Sequence, residues 1–274
     1  MKRWTLPLLL AFGLAPGLEA GPWPVGKGHL YSKLGYQRLR SQQYFAPDGT
    51  AFSIPSFAQD DLDLFVLYGV SDGLSVFGTL PVVRSSDLAD RPDELRRSTG
   101  FGDLRLGLQR QLGHQGPWVL AATGVVQVPS GDEARSGGLQ ATGSGAWEGE
   151  AGLSAGRSWS GGRWFGFAEV GYDLRGSGLR DGLLYSAQLG WNLRPSLILI
   201  AYTKGLEPLS HQPGSRTPGS FVGAGDRVTY LVYGGSAIVK LSRGFGLQVD
   251  LEQAGRRRNL VDGMAIRIAP FFRR

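Results

Sequence analysis

The chain has 274 residues, 43 of them glycine, and a formal net charge of +6. Apolar residues make up 42% of it, and aromatic residues are spread along nearly the whole chain, which argues against disorder. The lack of cysteine excludes disulfides, thiol nucleophiles and Cys-ligated metal centres, and only three histidines remain for imidazole chemistry. We therefore expect a protein that is not an enzyme and holds no cofactor or metal.

The first residues predict a secretory signal peptide. Lys2 and Arg3 precede the apolar run 6–14, and Leu18-Glu19-Ala20 forms a cleavage site, with residues 15–17 as the alternative. We expect a signal peptide over 1–20 and one mature domain over 21–274. The apolar run is too short to span a membrane, and no later stretch has 18 consecutive apolar residues. A basic exported protein without cysteine is typical of a bacterial envelope.

Apolar and polar residues alternate along most of the mature chain, whereas helical periodicity is hard to find. Phe245, Leu247, Val249 and Leu251, for example, alternate with a glycine, a glutamine and two acids. Twelve such segments are present: 29–37, 58–69, 74–82, 100–112, 117–129, 147–158, 163–174, 181–192, 196–205, 227–241, 245–254 and 262–272. Most exceed the roughly five or six residues of soluble strands. They match the roughly nine to eleven residues of membrane-spanning strands.

The connections fall into two alternating classes. Those after odd-numbered segments are long: 38–57, 83–99, 130–146, 175–180, 206–226 and 255–261. Those after even-numbered segments are short turns: 70–73, 113–116, 159–162, 193–195 and 242–244. Long loops at one rim and short turns at the other are typical of outer-membrane barrels, with both termini on the periplasmic side. We therefore predict an all-β fold, a closed antiparallel up-and-down transmembrane β-barrel of about 12 strands in the bacterial outer membrane.

Aromatic residues indicate which strand face meets lipid. Along 163–174 the even positions form an apolar stripe from Trp164 to Tyr172, and Trp147 and Trp159 bracket a second stripe. Such rings mark the two interfacial girdles of a membrane barrel. The opposite, lumen-facing side collects nine acidic and five basic residues: Lys33, Asp61, Asp63, Asp103, Arg105, Glu148, Glu150, Glu169, Asp173, Lys204, Lys240, Asp250, Glu252 and Arg267.

Two interpretations of these charges remain open. They either pair across a narrow lumen and hold it closed, or line a polar pore that selects solutes by charge. Strand number does not decide between them, because eight strands leave a filled interior and sixteen leave an aqueous channel. We expect a narrow or plugged pathway.

Other motifs give weaker signals. Gly21, Gly26 and Lys27 have the spacing of a phosphate-binding loop, but Gly28 stands where Ser or Thr should hold magnesium, and the two prolines in this stretch argue against the match. A barrel lipid hydrolase needs a histidine beside a serine. The three histidines, at 29, 114 and 211, fall at a strand start, in a turn and in a loop. The same-face pairs Asp61/Asp63 and Glu148/Glu150 suit a hard cation, although two same-face carboxylates are more often simple lumen charges.

Arginines are frequent in the predicted long-loop rim. Without an aromatic stacking platform they do not indicate nucleic-acid binding. They either bind the phosphates of lipopolysaccharide through bidentate contacts or simply keep the loops solvated. These residues are Arg38, Arg40, Arg84, Arg91, Arg96, Arg97, Arg135, Arg180, Arg216 and Arg256 to Arg258.

One stretch resembles a known family. The hairpin LYGVSDGLSVFGTLPV (67–82) and the strand GFGDLRLGLQRQL (100–112) are similar to the outer-membrane transporters grouped under the meta-pathway of phenol degradation. The likeness is strongest over 58–128. It implies a barrel that passes small hydrophobic or aromatic compounds. The last strand, with Gly263, Ile266, Ile268 and Phe272, also looks like the signal read by the barrel-assembly machinery, although Arg273 and Arg274 follow it and Pro270 interrupts it.

Three functions remain open: a passive channel or transporter for small molecules, a structural or adhesive barrel without an open pore, and a barrel lipid hydrolase. The resemblance and the charged interior favour the channel. An acidic lumen should then favour cations or neutral compounds over anions. Aromatic and apolar residues of the first long loop form either a greasy entrance or packing over the barrel mouth: Tyr44, Phe45, Phe52, Ile54 and Phe57.

Overall fold

The computed structural model describes residues 21–91, 94–132, 141–209 and 227–274. The predicted signal peptide lies outside these residues, so its cleavage stays a prediction. The described strands are β1 (Leu30–Phe45), β2 (Ala51–Ser71), β3 (Leu74–Arg91), β4 (Glu94–Gly100), β5 (Leu104–Gln115), β6 (Trp118–Val128), β7 (Glu148–Trp159), β8 (Trp164–Arg175), β9 (Gly182–Arg194), β10 (Leu197–Pro208), β11 (Thr229–Lys240), β12 (Phe245–Arg258) and β13 (Leu260–Arg273). Within the described ranges, no helix is long and apolar enough to cross a membrane.

The strands form one antiparallel sheet that closes on itself. Successive strands pair around the sheet, and β13 returns to pair with β1 along most of its length. The inner part of β3 pairs with β5 and its outer part with β4, so β4 and β5 share one position in the wall. The barrel therefore has twelve strand positions, which confirms the predicted architecture. Closure leaves no strand edge whose N–H and C=O groups would lack partners in hydrocarbon.

The two ends of the barrel differ in their connections. The short turns, the start of β1 and the end of β13 all lie at one end of the barrel, here called the inner end. This end faces the periplasm in barrels of this type. At the opposite, outer end the structure departs from the predicted loops. The stretches 38–57, 83–99 and 255–261 are mostly strand, because β1, β2, β3, β4, β12 and β13 extend through them. Their alternation is hard to recognise in sequence because strands that protrude beyond the hydrocarbon carry polar residues on both faces.

A second departure concerns the segment predicted as 100–112. The ladder is interrupted at 101–103, and β5 begins at Leu104. Pro81 lies opposite on β3, and proline has no N–H to donate to a ladder. A single bond remains at this point, from the Gly102 N–H to the Pro81 carbonyl, at 3.1 Å.

The burial of side chains follows the predicted assignment of faces. Four apolar residues predicted to face lipid are each about half exposed on the outer surface of the barrel: Leu106, Leu153, Val170 and Leu189. Trp164 and Trp191 stack at the inner end, with ring centroids 5.2 Å apart. Residues at the alternate positions point inward and are mostly buried.

Inside the barrel, aromatic rings lie against the wall. Each of four inward rings covers a glycine directly opposite on the neighbouring strand, and a Cβ on that glycine would overlap the ring. These pairs are Phe77–Gly107, Phe165–Gly190, Tyr202–Gly234 and Phe271–Gly246. Glycine allows the close approach because it has no side chain to displace.

Candidate channel lumen

The lumen is divided along its axis into an apolar inner half and a charged central zone. The inner half contains one cluster of buried apolar side chains from many strands: Tyr31, Phe65, Leu67, Phe77, Val125, Phe165, Ile198, Ile200, Ile238 and Phe271. Three buried polar side chains also point into this half: Lys33, whose Nζ lies 5.9 Å from the centre of the Phe65 ring, Gln109 and Gln248. Trp23 and Val25, which precede β1, pack against this cluster. The sequence alternation places these residues inward, but only barrel closure brings them together.

The central zone consists of charged side chains that form ion pairs with side chains from other strands. Arg105 Nη2 lies 2.6 Å from Glu150 Oε1, and both side chains are buried. Lys204 Nζ lies 2.7 Å from Glu252 Oε1, which also accepts the Tyr202 hydroxyl at 2.7 Å. These pairs satisfy charges that would be costly to bury alone.

Further ion pairs extend the zone around the barrel. Arg175 contacts Glu148 at 3.2 Å and Asp173 at 3.7 Å. On the facing wall, Arg267 of β13 pairs with Asp63 of β2, two residues separated by 204 positions in the chain. The interior is therefore highly charged but extensively paired.

A cavity of about 300 Å³ lies on the outer side of this zone. The described residues that line it include six acids and four bases: Asp61, Asp63, Asp103, Glu148, Asp173 and Glu252, with Arg84, Arg105, Arg175 and Lys204. Leu206, Tyr230 and Val261 supply part of its apolar surface. The cavity combines a charged floor with partly apolar walls nearer the outer rim, and its volume suits a small solute.

Described residues of the connection between β6 and β7, within 129–132 and 141–146, fold into the lumen. Asp103 accepts the backbone N–H of Gly131 at 2.9 Å and that of Ser144 at 2.6 Å. Thr142 is buried, and its carbonyl accepts a bond from Arg84 Nη1 at 3.2 Å. Asp103 therefore anchors these described residues, which narrow the outer half of the barrel.

The side chains predicted to face the lumen point into the barrel, and their role in solute passage stays a prediction. Nine are buried: Lys33, Asp63, Arg105, Glu148, Glu150, Glu169, Asp173, Asp250 and Arg267. Asp61, Asp103, Glu252, Lys204 and Lys240 are partly buried.

Two inward arginines were missed by the sequence-based assignment. Arg84 was expected in the outer rim, but β3 continues past Pro81 and directs Arg84 inward, with its Nε 2.7 Å from Asp61 Oδ1. Arg175 lies just past the predicted end of its segment, and it is buried. A register shift inserts one residue into β3 between Pro81 and Val83, so alternation continued from Phe77 and Thr79 would have directed Arg84 outward. Both residues reduce the acidic excess expected from the sequence.

The predicted entrance residues lie on strand extensions rather than in a loop. Phe57 is buried and packs with Leu88 and Val261. Tyr44 and Ile54 pack against this group, and the Tyr44 hydroxyl donates to Asn259 at 2.6 Å. The Phe45 ring lies 4.5 Å from the Arg257 guanidinium carbon, whereas Phe52 is 52% exposed. Most of the set thus packs at the mouth, and its role in solute entry stays a prediction.

The two described histidines contact a backbone carbonyl and an amide side chain. His29 lies 3.2 Å from the Arg274 carbonyl, and His114 lies 2.8 Å from the Gln111 amide. His211 lies outside the described residues. Among the residues that are described, no group of three or more His, Asp or Glu side chains is arranged to hold a metal ion.

Closed topology, strand length and an apolar outer surface with aromatic rings define a bacterial outer-membrane β-barrel. A family model described as "Putative MetA-pathway of phenol degradation" matches residues 16–268, and the chain belongs to this family. No curated protein matches the sequence.

Solved structures agree with this class. An outer membrane channel from Pseudomonas putida F1 is 16% identical, with a TM-score of 0.69 over 96% of this chain and 100% of that one. The translocator domain of the autotransporter NalP from Neisseria meningitidis is 15% identical, with a TM-score of 0.54 over 91% and 90%. The KdgM porin, solved with oligogalacturonate, is 5% identical, with a TM-score of 0.52 over 88% and 98%. At such identities the likeness concerns the fold.

Proposed function

We propose that the protein is an outer-membrane channel for the passive passage of small molecules, with a preference for neutral aromatic compounds. The observation that carries this proposal is the division of the lumen. A cavity of about 300 Å³ with a charged floor leads toward an inner half lined by aromatic and aliphatic side chains. A small phenol suits both environments, because its hydroxyl can bond to polar groups while its ring packs among apolar ones.

The family supports this preference without identifying a solute. Its description refers to phenol degradation, and the similar structure from Pseudomonas putida F1 is an outer membrane channel. The paired charges disfavour a wide aqueous pore, since ion pairs between neighbouring or next-but-one strands occupy the central zone around much of the wall. A narrow path for small neutral molecules is consistent with both observations.

Purified protein reconstituted into liposomes tests the proposal. We expect phenol to enter faster than into protein-free liposomes, and faster than benzoate, the anion of similar size. Single-channel recording on the same preparation should show small conductance steps. Phenol entry equal to that of empty liposomes, together with a silent bilayer, would reject the channel.

The same structure offers a second candidate, a structural barrel without an open pore. The ion pairs Arg105–Glu150 and Arg267–Asp63 are buried, and the apolar cluster packs in the inner half. Such an interior stabilises a closed barrel. The liposome experiment separates the two functions, because a closed barrel admits neither phenol nor ions.

We also propose two partners outside the lumen. Arg38 and Arg256 lie on the outer surface near the outer end, with side chains 44% and 53% exposed, and suit the phosphates of lipopolysaccharide. The terminal strand β13, which closes the barrel against β1, suits recognition by the barrel-assembly machinery. Loss of lipopolysaccharide binding in Arg38→Ala/Arg256→Ala, with unchanged folding, would support the first. Slower assembly of Phe272→Ala in cells would support the second.

A further inference from the structure

The residues before β1 turn back into the barrel instead of leaving it. Gly21 and Pro22 are buried, and the Gly21 carbonyl accepts a bond from the inward side chain of Gln109. The Val25 N–H donates to Ser75 Oγ at 3.0 Å, and the Lys27 N–H donates to Asp72 Oδ1 at 3.2 Å. The segment 21–28, here called the N-terminal segment, therefore runs along the inner half of the lumen from the inner end.

The barrel wall is shaped to receive this segment. A Cβ on Gly156 of β7 would lie 2.5 Å from Pro22 Cγ and 2.7 Å from Trp23 Cη2. A Cβ on Gly69 of β2 would overlap the backbone of Gly26. Two glycines on well-separated strands thus leave the space that the segment occupies, so its inward course is built into the sequence of the wall.

The indole of Trp23 lies in an aromatic environment. It contacts Phe165 and Phe167 of β8 edge to face, with ring centroids 6.4 and 6.1 Å away and interplanar angles of 88° and 82°. Edge-to-face contact is a favoured geometry between aromatic rings and is available to any small aromatic molecule of suitable size. Trp23 is partly buried in this environment.

We propose that Trp23 occupies a binding site for a small aromatic solute in the inner half of the lumen, and that solute passes when the N-terminal segment leaves this site. The inference rests on the proposed channel function and adds its inner binding site. A phenol arriving from the outer cavity would meet the apolar cluster next and replace the indole against Phe165 and Phe167.

The segment is attached in a way that permits this exchange. It forms no part of the sheet, which begins at Leu30, and its bonds to the wall include side-chain partners on β3 and β5. If the signal peptide is removed after residue 20, the buried end of the segment, at Gly21, is the free N-terminus of the mature chain. The segment is then attached covalently only through Gly28, which leads into β1. It can withdraw from the lumen by breaking its contacts with the wall, without opening the hydrogen bonds between strands.

The first experiment removes the indole. Trp23→Ala should bind free indole, measured by calorimetry in detergent, because the vacated space and the rings of Phe165 and Phe167 remain. It should also admit phenol into liposomes several-fold faster than the unaltered protein. Trp147→Ala is the matched control, because Trp147 is 61% exposed on the barrel surface and should change neither reading.

The second experiment holds the segment in place. Because the chain has no cysteine, Val25→Cys/Ser75→Cys introduces a single possible disulfide between two neighbouring residues, whose Val25 N and Ser75 Oγ lie 3.0 Å apart. Oxidation should slow phenol entry, and reduction should restore it in the same liposomes. The single variants Val25→Cys and Ser75→Cys, which cannot form the intramolecular bond, should not respond to oxidation.

The outcomes separate this inference from the channel proposal. If phenol enters but Trp23→Ala binds no indole and the crosslink has no effect, the inner site is wrong and the channel stands. If Trp23→Ala binds indole while no variant admits phenol, the aromatic site stands, and both the channel and the role of the segment in passage are wrong.

Discussion

Phe165 and Gly190 lie directly opposite each other on β8 and β9, and the phenyl ring covers the glycine so closely that a Cβ there would overlap it. The ring also forms one wall of the Trp23 site. One cross-strand relationship therefore sets both the packing of the barrel wall and the position of an aromatic surface in the lumen.

Gly190→Ala should destabilise the barrel by about 1–3 kcal/mol, because the added methyl must displace a buried ring in a closely packed wall. Gly149→Ala is the control, since a Cβ on Gly149 meets nothing within 4 Å. Urea unfolding in detergent or lipid, followed by heat-dependent gel migration, measures both. Equal stability of the two variants would contradict the packing described for Phe165.

The assignment of strand faces can be tested at two adjacent residues. Leu189→Arg should cost about 2–4 kcal/mol, because it directs a charge into lipid near mid-strand. Gln188→Arg should cost much less, since this side chain points into the barrel interior, opposite Phe167 and Tyr202, and not into lipid. Both free energies can be obtained from reversible unfolding in phospholipid vesicles. A larger cost at Gln188 would mean that the faces are reversed.

Loss of one partner in a buried ion pair should be severe. Glu150→Ala leaves Arg105 charged and buried, and we expect a loss of about 3–5 kcal/mol. Arg105→Met/Glu150→Leu should recover much of it, because neither charge then remains. In the exposed pair Arg256–Glu207, Glu207→Ala should cost less than about 1 kcal/mol. The comparison uses the same unfolding assay, and a mild Glu150→Ala would show that water reaches this part of the lumen.

Charge in the outer cavity should give the channel a weak preference for cations. The described lining carries six acids against four bases, and fixed charges of one sign raise the local concentration of the opposite ion. The reversal potential under a KCl gradient should therefore have the sign of K⁺ selectivity. Glu252→Gln removes one carboxylate and the partner of Lys204, and should shift that potential toward Cl⁻. Anion selectivity in the unaltered protein would oppose this account of the lumen.

Alternation in the sequence was sufficient to determine the class of fold and the facing of most strands. In a membrane barrel each strand residue faces either lipid or the interior. A two-residue period in the local sequence therefore indicates which face each residue occupies. The stripe from Trp164 to Tyr172 and the inward charges of β7 could be recognised for this reason. Where strands leave the hydrocarbon the constraint ends, so the sequence pattern predicts a loop for the extensions of β1 and β2.

Only the tertiary structure decided which inward residues meet. The pairing of Asp63 with Arg267 depends on closure of β1 against both β2 and β13, and the fit of Phe165 to Gly190 depends on strand register. The course of the N-terminal segment was equally hidden, because Gly21 to Gly28 show no period and resemble at most a failed phosphate loop. Their position depends on space left by Gly69 and Gly156, far along the chain. Contacts of this kind arise from the assembled wall, which no local pattern encodes.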